Sequence, residues 1–225
     1  MSFFRLAAFD SNVFGHVLSI PLETSQTEPA LISGGSSQFP DPLFLKQVHG
    51  GTIHLVRGID HNRPAPGAFG DGIFTDIPRF PVMVFTADCI PLIIASESPL
   101  FIGVVHASWR SVATGIIENT VKLLAEGLCG KPSQFSCFMG PCILGEDYEV
   151  GAEVAIRFPE SIRDIGGGKF MLDLPCEVRR RLLRLGVPEK SISMPPLSTF
   201  RERWLPSYRR EGDAAGRIET VVWIE

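Results

Sequence analysis

The sequence predicts a layered fold of mixed β-sheets carrying a few helices, of α/β or α+β class. Short β-branched and aromatic runs bounded by Pro and Ser recur along the chain and read as strands. A few segments carry helical periodicity, but they do not alternate strictly with the strands, as layered mixed folds allow. With 225 residues and 44% hydrophobic content the chain can bury a substantial core. No internal repeat and no long linker divides it, so a single domain over residues 1–225 is expected.

Phe3–Phe9 and Val17–Ile20 are the first two strand candidates. Glu23–Pro42, rich in Ser, Gly, Pro and Thr, is expected to be a loop, and its Gly34-Gly35-Ser36-Ser37 lacks phosphate-cradling spacing. Two strand-like runs, Leu43–His49 and Thr52–Arg57, joined by Gly50-Gly51, predict a tight hairpin with His49 at its corner. Asn62–Ala68 reads as an exposed loop leading to Gly70-Asp71-Gly72, an acid just before a strand. Asp71 there is suited to binding a ligand or to capping a turn. Val82–Phe85, Leu92–Ala95 and Phe101–Val105 predict buried strands.

The first convincing helix is Val112–Leu128, with Ile117, Val121, Leu124 and Leu128 on one face and Gly127 and Gly130 at its end. Phe135–Met139 predicts a strand and Val150–Phe158 a second helix. A third opens with Asp173 as N-cap and Pro175 in its first turn, and stops at Gly186. A short strand near Ser191–Met194 and a last one at Glu219–Ile224 complete the chain.

Composition narrows the function. A net charge of -4 gives no nucleic-acid footprint. Basic residues outnumber acidic ones from Arg179 to Arg217, a region suited to face an anion such as phosphate. Arg179–Arg181 and Arg184 read instead as a solvated helix face. Five cysteines at irregular spacing suggest no disulfide framework, so a reducing cytoplasm is expected. Phe3–Phe9 is too short for a secretory core, and Asp88 and Pro91 interrupt the longest apolar stretch before it reaches a membrane span.

The chemistry concentrates where the strands meet polar residues. Thr86-Ala87-Asp88-Cys89-Ile90-Pro91 separates two apolar runs, and a third ends on His106, followed by Ala107-Ser108-Trp109-Arg110. Cysteine and histidine together form either a soft metal site or a Cys–His nucleophile pair. A lone Cys in an apolar strand is usually a small core hydrophobe. Asp88 beside Cys89, Trp109-Arg110 beside His106, and a further histidine at His49 argue for a site.

Five motifs occur in order: Lys46-Gln47-Val48-His49-Gly50, Thr86–Pro91, Val105–Arg110, Gly140-Pro141-Cys142-Ile143 and Ser207-Tyr208-Arg209-Arg210. Together they resemble the YfiH-like laccase-domain family, also called multicopper polyphenol oxidases, whose members are regarded as purine nucleoside phosphorylases with adenosine deaminase activity. The resemblance runs from about Leu43 to the C-terminus. It implies a layered α/β/β/α fold and a zinc held by His49, Cys89 and His106. It also implies small-molecule partners, purine nucleosides such as adenosine, inosine, guanosine and methylthioadenosine, together with phosphate, and no nucleic acid or membrane. Two imidazoles and a thiolate leave a zinc position open for water or substrate, as hydrolytic deamination at purine C6 requires. Asp71 and Asp88 are the candidate proton shuttles. Arg110, Arg209 and Arg210 are the candidate phosphate anchors, because a guanidinium grips phosphate with two donors. Gln47 in the first motif is a further candidate for substrate binding.

The chain departs from the family pattern in three places. Ser108 and Ser111 replace the two glycines of His-Ala-Gly-Trp-Arg-Gly. Ser198-Thr199 stands where the family has Cys-Thr, and the N-terminal Thr-Arg-x-Gly-Gly-x-Ser segment has no clear counterpart near Phe9–Gly15. Rival readings follow from the same residues: a copper polyphenol oxidase, since copper also accepts two His and one Cys; a cysteine hydrolase using Cys89 and His106; and a non-catalytic relative. Five histidines are too few for several His-built copper centres.

Overall fold

The computed structural model describes residues 3–5, 14–21, 30–32, 41–58, 63–65 and 67–224, with side chains from residue 41 onward. Two six-stranded sheets form its centre. The first runs in the order Ala30–Ile32, Phe14–Pro21, Phe3–Arg5, Ile218–Ile224, Val82–Thr86, Leu43–Phe44. The second runs Ile192–Ser193, Ser136–Met139, Ile90–Glu97, Leu100–Ala107, Gly72–Thr75, Ile53–Val56. Both mix parallel and antiparallel neighbours: Ile53–Val56 lies parallel to Gly72–Thr75, which lies antiparallel to Leu100–Ala107. A three-stranded sheet of Glu149–Gly151, Lys169–Leu172 and Ile162–Gly166 stands apart.

The strands Ile90–Glu97 and Leu100–Ala107 are buried on both faces, which is why they read as continuous apolar runs rather than alternating ones. Their alternation is visible in what each face meets. Leu92, Ile94, Val105 and Ala107 join the cluster that includes Ile117, Val121 and Leu124 of the helix Ile116–Leu128 and Val178 and Leu182 of the helix Leu174–Arg184. Ile93, Ala95, Ile102 and Val104 pack instead with Val82, Val84, Val222 and Ile224 of the first sheet. The order of layers is therefore helices, second sheet, first sheet. On the far face of the first sheet Met83, Val221 and Trp223 form a small cluster of their own. Each fully buried Leu or Ile here stabilises the fold by about 1.5–3 kcal/mol relative to exposure. Gly103 is required by this packing, because a Cβ there would lie 2.2 Å from a ring carbon of Phe74 on the neighbouring strand.

Several expectations are corrected. The hairpin at Gly50-Gly51 does not form: Leu43–Phe44 pairs with Val82–Thr86 in the first sheet, and Ile53–Val56 with Gly72–Thr75 in the second. The chain between them crosses from sheet to sheet, and His49 turns there with φ 57°. The long helix divides at Gly115, φ 85°, into Trp109–Ala113 and Ile116–Leu128. The second helix shrinks to Ala152–Ala155, because Val150 belongs to a strand. Within the Glu23–Pro42 loop, Ala30–Ile32 is a strand paired with Val17–Ser19. The Gly34–Ser37 stretch, Asn62, and the end of the Phe3–Phe9 run lie outside the described residues. The helix capped by Asp173 forms as expected: its carboxylate accepts from Cys176 N at 2.9 Å, and the helix ends before Gly186 at φ 92°. Its arginines form ion pairs, with Arg181 and Arg180 both on buried Glu177 and Arg179 on Glu189.

Candidate metal centre and active site

Strand register brings the first two site residues together. Ile90 pairs with Ala107 and Pro91 with His106, so Cys89, one step before its strand, lies beside the end of the strand carrying His106. Asp88, at φ 81°, turns the chain into that strand. The crossing segment delivers His49 from the other side. One donor atom from each of His49, Cys89 and His106 lies within 4.8 Å of the other two. The two imidazoles meet edge to face, with centroids 4.7 Å apart. His106 is buried, Cys89 half-buried and His49 exposed, so the cluster opens to solvent on the His49 side.

Asp71 underlies this cluster. It is fully buried, and its Oδ1 accepts from His106 Nδ1 at 2.8 Å and from His49 N at 2.9 Å. Its Oδ2 accepts from Gly50 N at 2.7 Å and Val48 N at 3.2 Å. A carboxylate only accepts here, so Nδ1 of His106 is the protonated nitrogen and Nε2 is left for a metal. Burial alone pushes the Asp71 carboxyl up, but the His106 and backbone hydrogen bonds hold it below its ordinary value.

Burial also pushes the Cys89 thiol up, yet hydrogen bonds with His106 and His49 and their positive charge bring it down to about 7. His106 responds in the opposite sense. Burial lowers it, and the bonds to Asp71 and Cys89 raise it to about 9. Between those values the pair is thiolate and imidazolium. A soft thiolate, a neutral imidazole once its proton leaves, and a second imidazole fit a three-ligand zinc with an open position. They suit a mononuclear copper equally by donor type.

The other candidate residues divide. Asp88 is half-buried; its Oδ1 accepts from Thr199 Oγ1 and its Oδ2 from Arg209 N, both at 2.6 Å. Arg209 also donates from Nη1 to Glu149 O at 2.6 Å, and its guanidinium lies 5.2 Å from the centre of the Tyr148 ring. Arg110 is exposed and stacks on Trp109 at 4.6 Å. Arg210 is otherwise committed: Nη1 donates to Thr199 O and Phe200 O at 2.7 and 2.9 Å, and Nη2 to Leu205 O at 2.6 Å. Gln47 is committed too, its side-chain amide exchanging two 2.7 Å hydrogen bonds with the backbone of Phe85 like a strand neighbour. Each ties distant backbone segments together, through groups the sequence does not display.

Tyr148 was not singled out by the sequence, although it is one of only two tyrosines. It is half-buried within the electrostatic reach of Cys89, Asp88, Arg209 and Arg110, and burial beside the thiolate pushes its phenol up, so it stays protonated. The two serines that replace glycines form a reciprocal cap. Ser108 N donates to Ser111 Oγ at 2.8 Å and Ser111 N to Ser108 Oγ at 3.1 Å, starting the helix directly after His106.

Similarity to known proteins agrees with this geometry. The profile of the family described as multi-copper polyphenol oxidoreductase laccase matches residues 31–225. The chain is 29% identical to the purine nucleoside phosphorylase YfiH of Shigella flexneri, covering 97% of this chain and 88% of that one. It is 31% identical to a purine nucleoside phosphorylase of Xylella fastidiosa, over 81% and 72%. Among solved structures, hypothetical protein YfiH of Bacillus licheniformis superposes with a TM-score of 0.76 at 25% identity, over 81% of this chain and 74% of that one. YlmD from Geobacillus stearothermophilus gives 0.73 at 29%, over 78% and 70%. No helix among the described residues is long and apolar enough to cross a membrane.

Proposed function

Because the chain belongs to the multi-copper polyphenol oxidoreductase laccase family, we propose that it is a zinc-dependent purine nucleoside phosphorylase with adenosine deaminase activity. Its relatives carry the name purine nucleoside phosphorylase. The observation that carries the reading is the convergence of His49, Cys89 and His106 within 4.8 Å, with His49 exposed; the reading takes residues 1–225 as one domain. The substrates are adenosine, inosine, guanosine or methylthioadenosine, and the setting is cytoplasmic.

Zinc bound at this triad supplies a Lewis acid that polarises oxygen and makes water nucleophilic near neutral pH. The chain's own groups do the rest. Arg110 and Arg209 bind phosphate, with Arg110 exposed and held by Trp109 and Arg209 held over Tyr148. The Tyr148 ring offers a stacking face for a purine, and its protonated phenol a donor to the ring nitrogens. In phosphorolysis the glycosidic C–N bond breaks, a phosphate oxygen bonds to the anomeric carbon, and the leaving base takes a proton. In deamination water adds at C6 and ammonia leaves. Asp88 is the carboxylate suited to move these protons, since each of its oxygens accepts one hydrogen bond and keeps a free lone pair.

Incubating the zinc-loaded protein with adenosine, with and without phosphate, tests the proposal by product identification. Free base and ribose 1-phosphate should appear only with phosphate, and inosine in either case. A second reading, a cysteine hydrolase, is favoured by the Cys89 and His106 values of about 7 and 9, which describe a thiolate–imidazolium pair. Cys89→Ser separates the two: a dead variant that keeps full metal content supports the hydrolase.

A further inference from the structure

We propose that Asp71 is a positioning residue which sets both imidazole ligands of the metal centre from one buried carboxylate. The inference rests on the triad of the proposed function and concerns how that triad is built. Asp71 holds His106 by two hydrogen bonds and the segment Val48–Thr52 around His49 by four. For His106, the ring Nδ1 donates to Oδ1 at 2.8 Å and the backbone N donates to Asp71 O at 2.7 Å. For the segment carrying His49, three successive amides, Val48, His49 and Gly50, converge on the carboxylate, and Asp71 N donates to Thr52 O at 2.9 Å. Three consecutive N–H groups around one anion form a concave anion-binding turn, here closed on a side chain of the same protein. The left-handed φ of 57° at His49 belongs to that turn. Released from Asp71, a histidine has no reason to keep this conformation, which favours glycine.

Four donors on two oxygens leave Asp71 no lone pair directed at a substrate, so it is not the proton shuttle that its place in the sequence suggests. Its effect runs through the ligands. Holding Nδ1–H of His106 aims Nε2 at the metal, and fixing the turn aims His49 at the same point. Asparagine cannot reproduce this, because its amide nitrogen is a donor. Placed at Oδ1, the NH2 faces the His49 amide and demands an unprotonated Nδ1, which moves the His106 proton to the metal-binding nitrogen. Placed at Oδ2, it faces the Val48 and Gly50 amides.

The test is zinc affinity, read by competition with a chromophoric chelator, in the full chain and in Asp71→Asn and Asp71→Ala. Both variants should bind zinc about 10- to 100-fold more weakly, as loss of a carboxylate behind a metal-bound histidine does. Thermal unfolding is followed in parallel. A variant that unfolds earlier but binds zinc as tightly as the parent overturns the proposal, because Asp71 would then support only the fold. Should the variants not fold, the unmutated protein decides. A downfield, hydrogen-bonded Nδ1–H proton of His106, assigned by its loss in His106→Ala, should be present with and without zinc. Its absence overturns the proposal. An unmutated protein that takes up no zinc but shows this proton defeats the zinc-enzyme reading and leaves the Asp71 arrangement standing.

Discussion

Asp71 is fully buried and accepts four hydrogen bonds, whereas Asp88 is half-buried and accepts two. Both are aspartates at strand ends beside the cluster of His49, Cys89 and His106. Asp71 faces inward, toward the backbone of the His49 turn and the ring of His106. Asp88 faces the C-terminal loops, through Thr199 and Arg209, on the side where Tyr148 and the arginines gather. The centre thus has one half where Asp71 fixes the two histidines and another where Tyr148 and the arginines gather around Asp88. Charge and sequence position do not distinguish such carboxylates. The number of donors already spent on each does.

The largest effect should come from breaking the ligand set itself. His49→Ala, His106→Ala and Cys89→Ser should each weaken zinc binding by about 100-fold or more and lose activity on adenosine together. Metal analysis and a nucleoside assay on the same samples check this, and a fully active His49→Ala breaks the ligand reading.

On the Asp88 side, Asp88→Asn should keep zinc but lower turnover by about 100-fold or more, the range for a lost general acid–base group. With its oxygen accepting from Arg209 N and its NH2 donating to the Thr199 hydroxyl, the amide can keep both loop contacts, so folding should change little. Loss of zinc in this variant would erase the distinction between the two carboxylates.

Zinc affinity should also rise with pH. The metal needs the Cys89 thiolate and a deprotonated Nε2 on His106. Between about 7 and about 9 the thiol has already ionised while the imidazole still carries its extra proton. One proton then leaves per zinc, so affinity should grow about tenfold per pH unit, more steeply below 7 and less above 9. Calorimetry in buffers of different ionisation heat counts the protons released.

Two arginines should show smaller and opposite effects. Arg110→Ala should raise the phosphate KM about tenfold, near 1.4 kcal/mol, with deamination and thermal stability kept. Arg210→Ala should do the reverse. Its guanidinium holds three backbone carbonyls, and losing hydrogen bonds to a charged group costs about 2–3 kcal/mol of stability. Steady-state kinetics at varied phosphate and thermal melts separate the pair.

Much of the fold was legible because apolar runs buried on both faces, such as Leu92–Ala95 and Phe101–Val105, leave an unbroken signature. The Asp173 cap was legible because its partner lies three residues away. What escaped depends on partners distant in the chain. A Gly-Gly pair marks a turn but not which sheet each flanking strand joins, so the predicted hairpin was a crossing. Gln47 meets Phe85 38 positions on, and Arg210 meets carbonyls brought near only by folding. The ligand triad was named from chemistry and motif, but the role of Asp71 rests on three backbone amides 21 to 23 positions earlier, and backbone groups have no letter in a sequence.

A zinc held by His49, Cys89 and His106 has a recognisable ligand shell. X-ray absorption at the zinc edge of the loaded protein reads that shell directly. One sulfur at about 2.3 Å and two imidazole nitrogens at about 2.0–2.1 Å should be found, with a lighter ligand completing the shell. A shell without sulfur, or a protein that loads copper and excludes zinc, would contradict it.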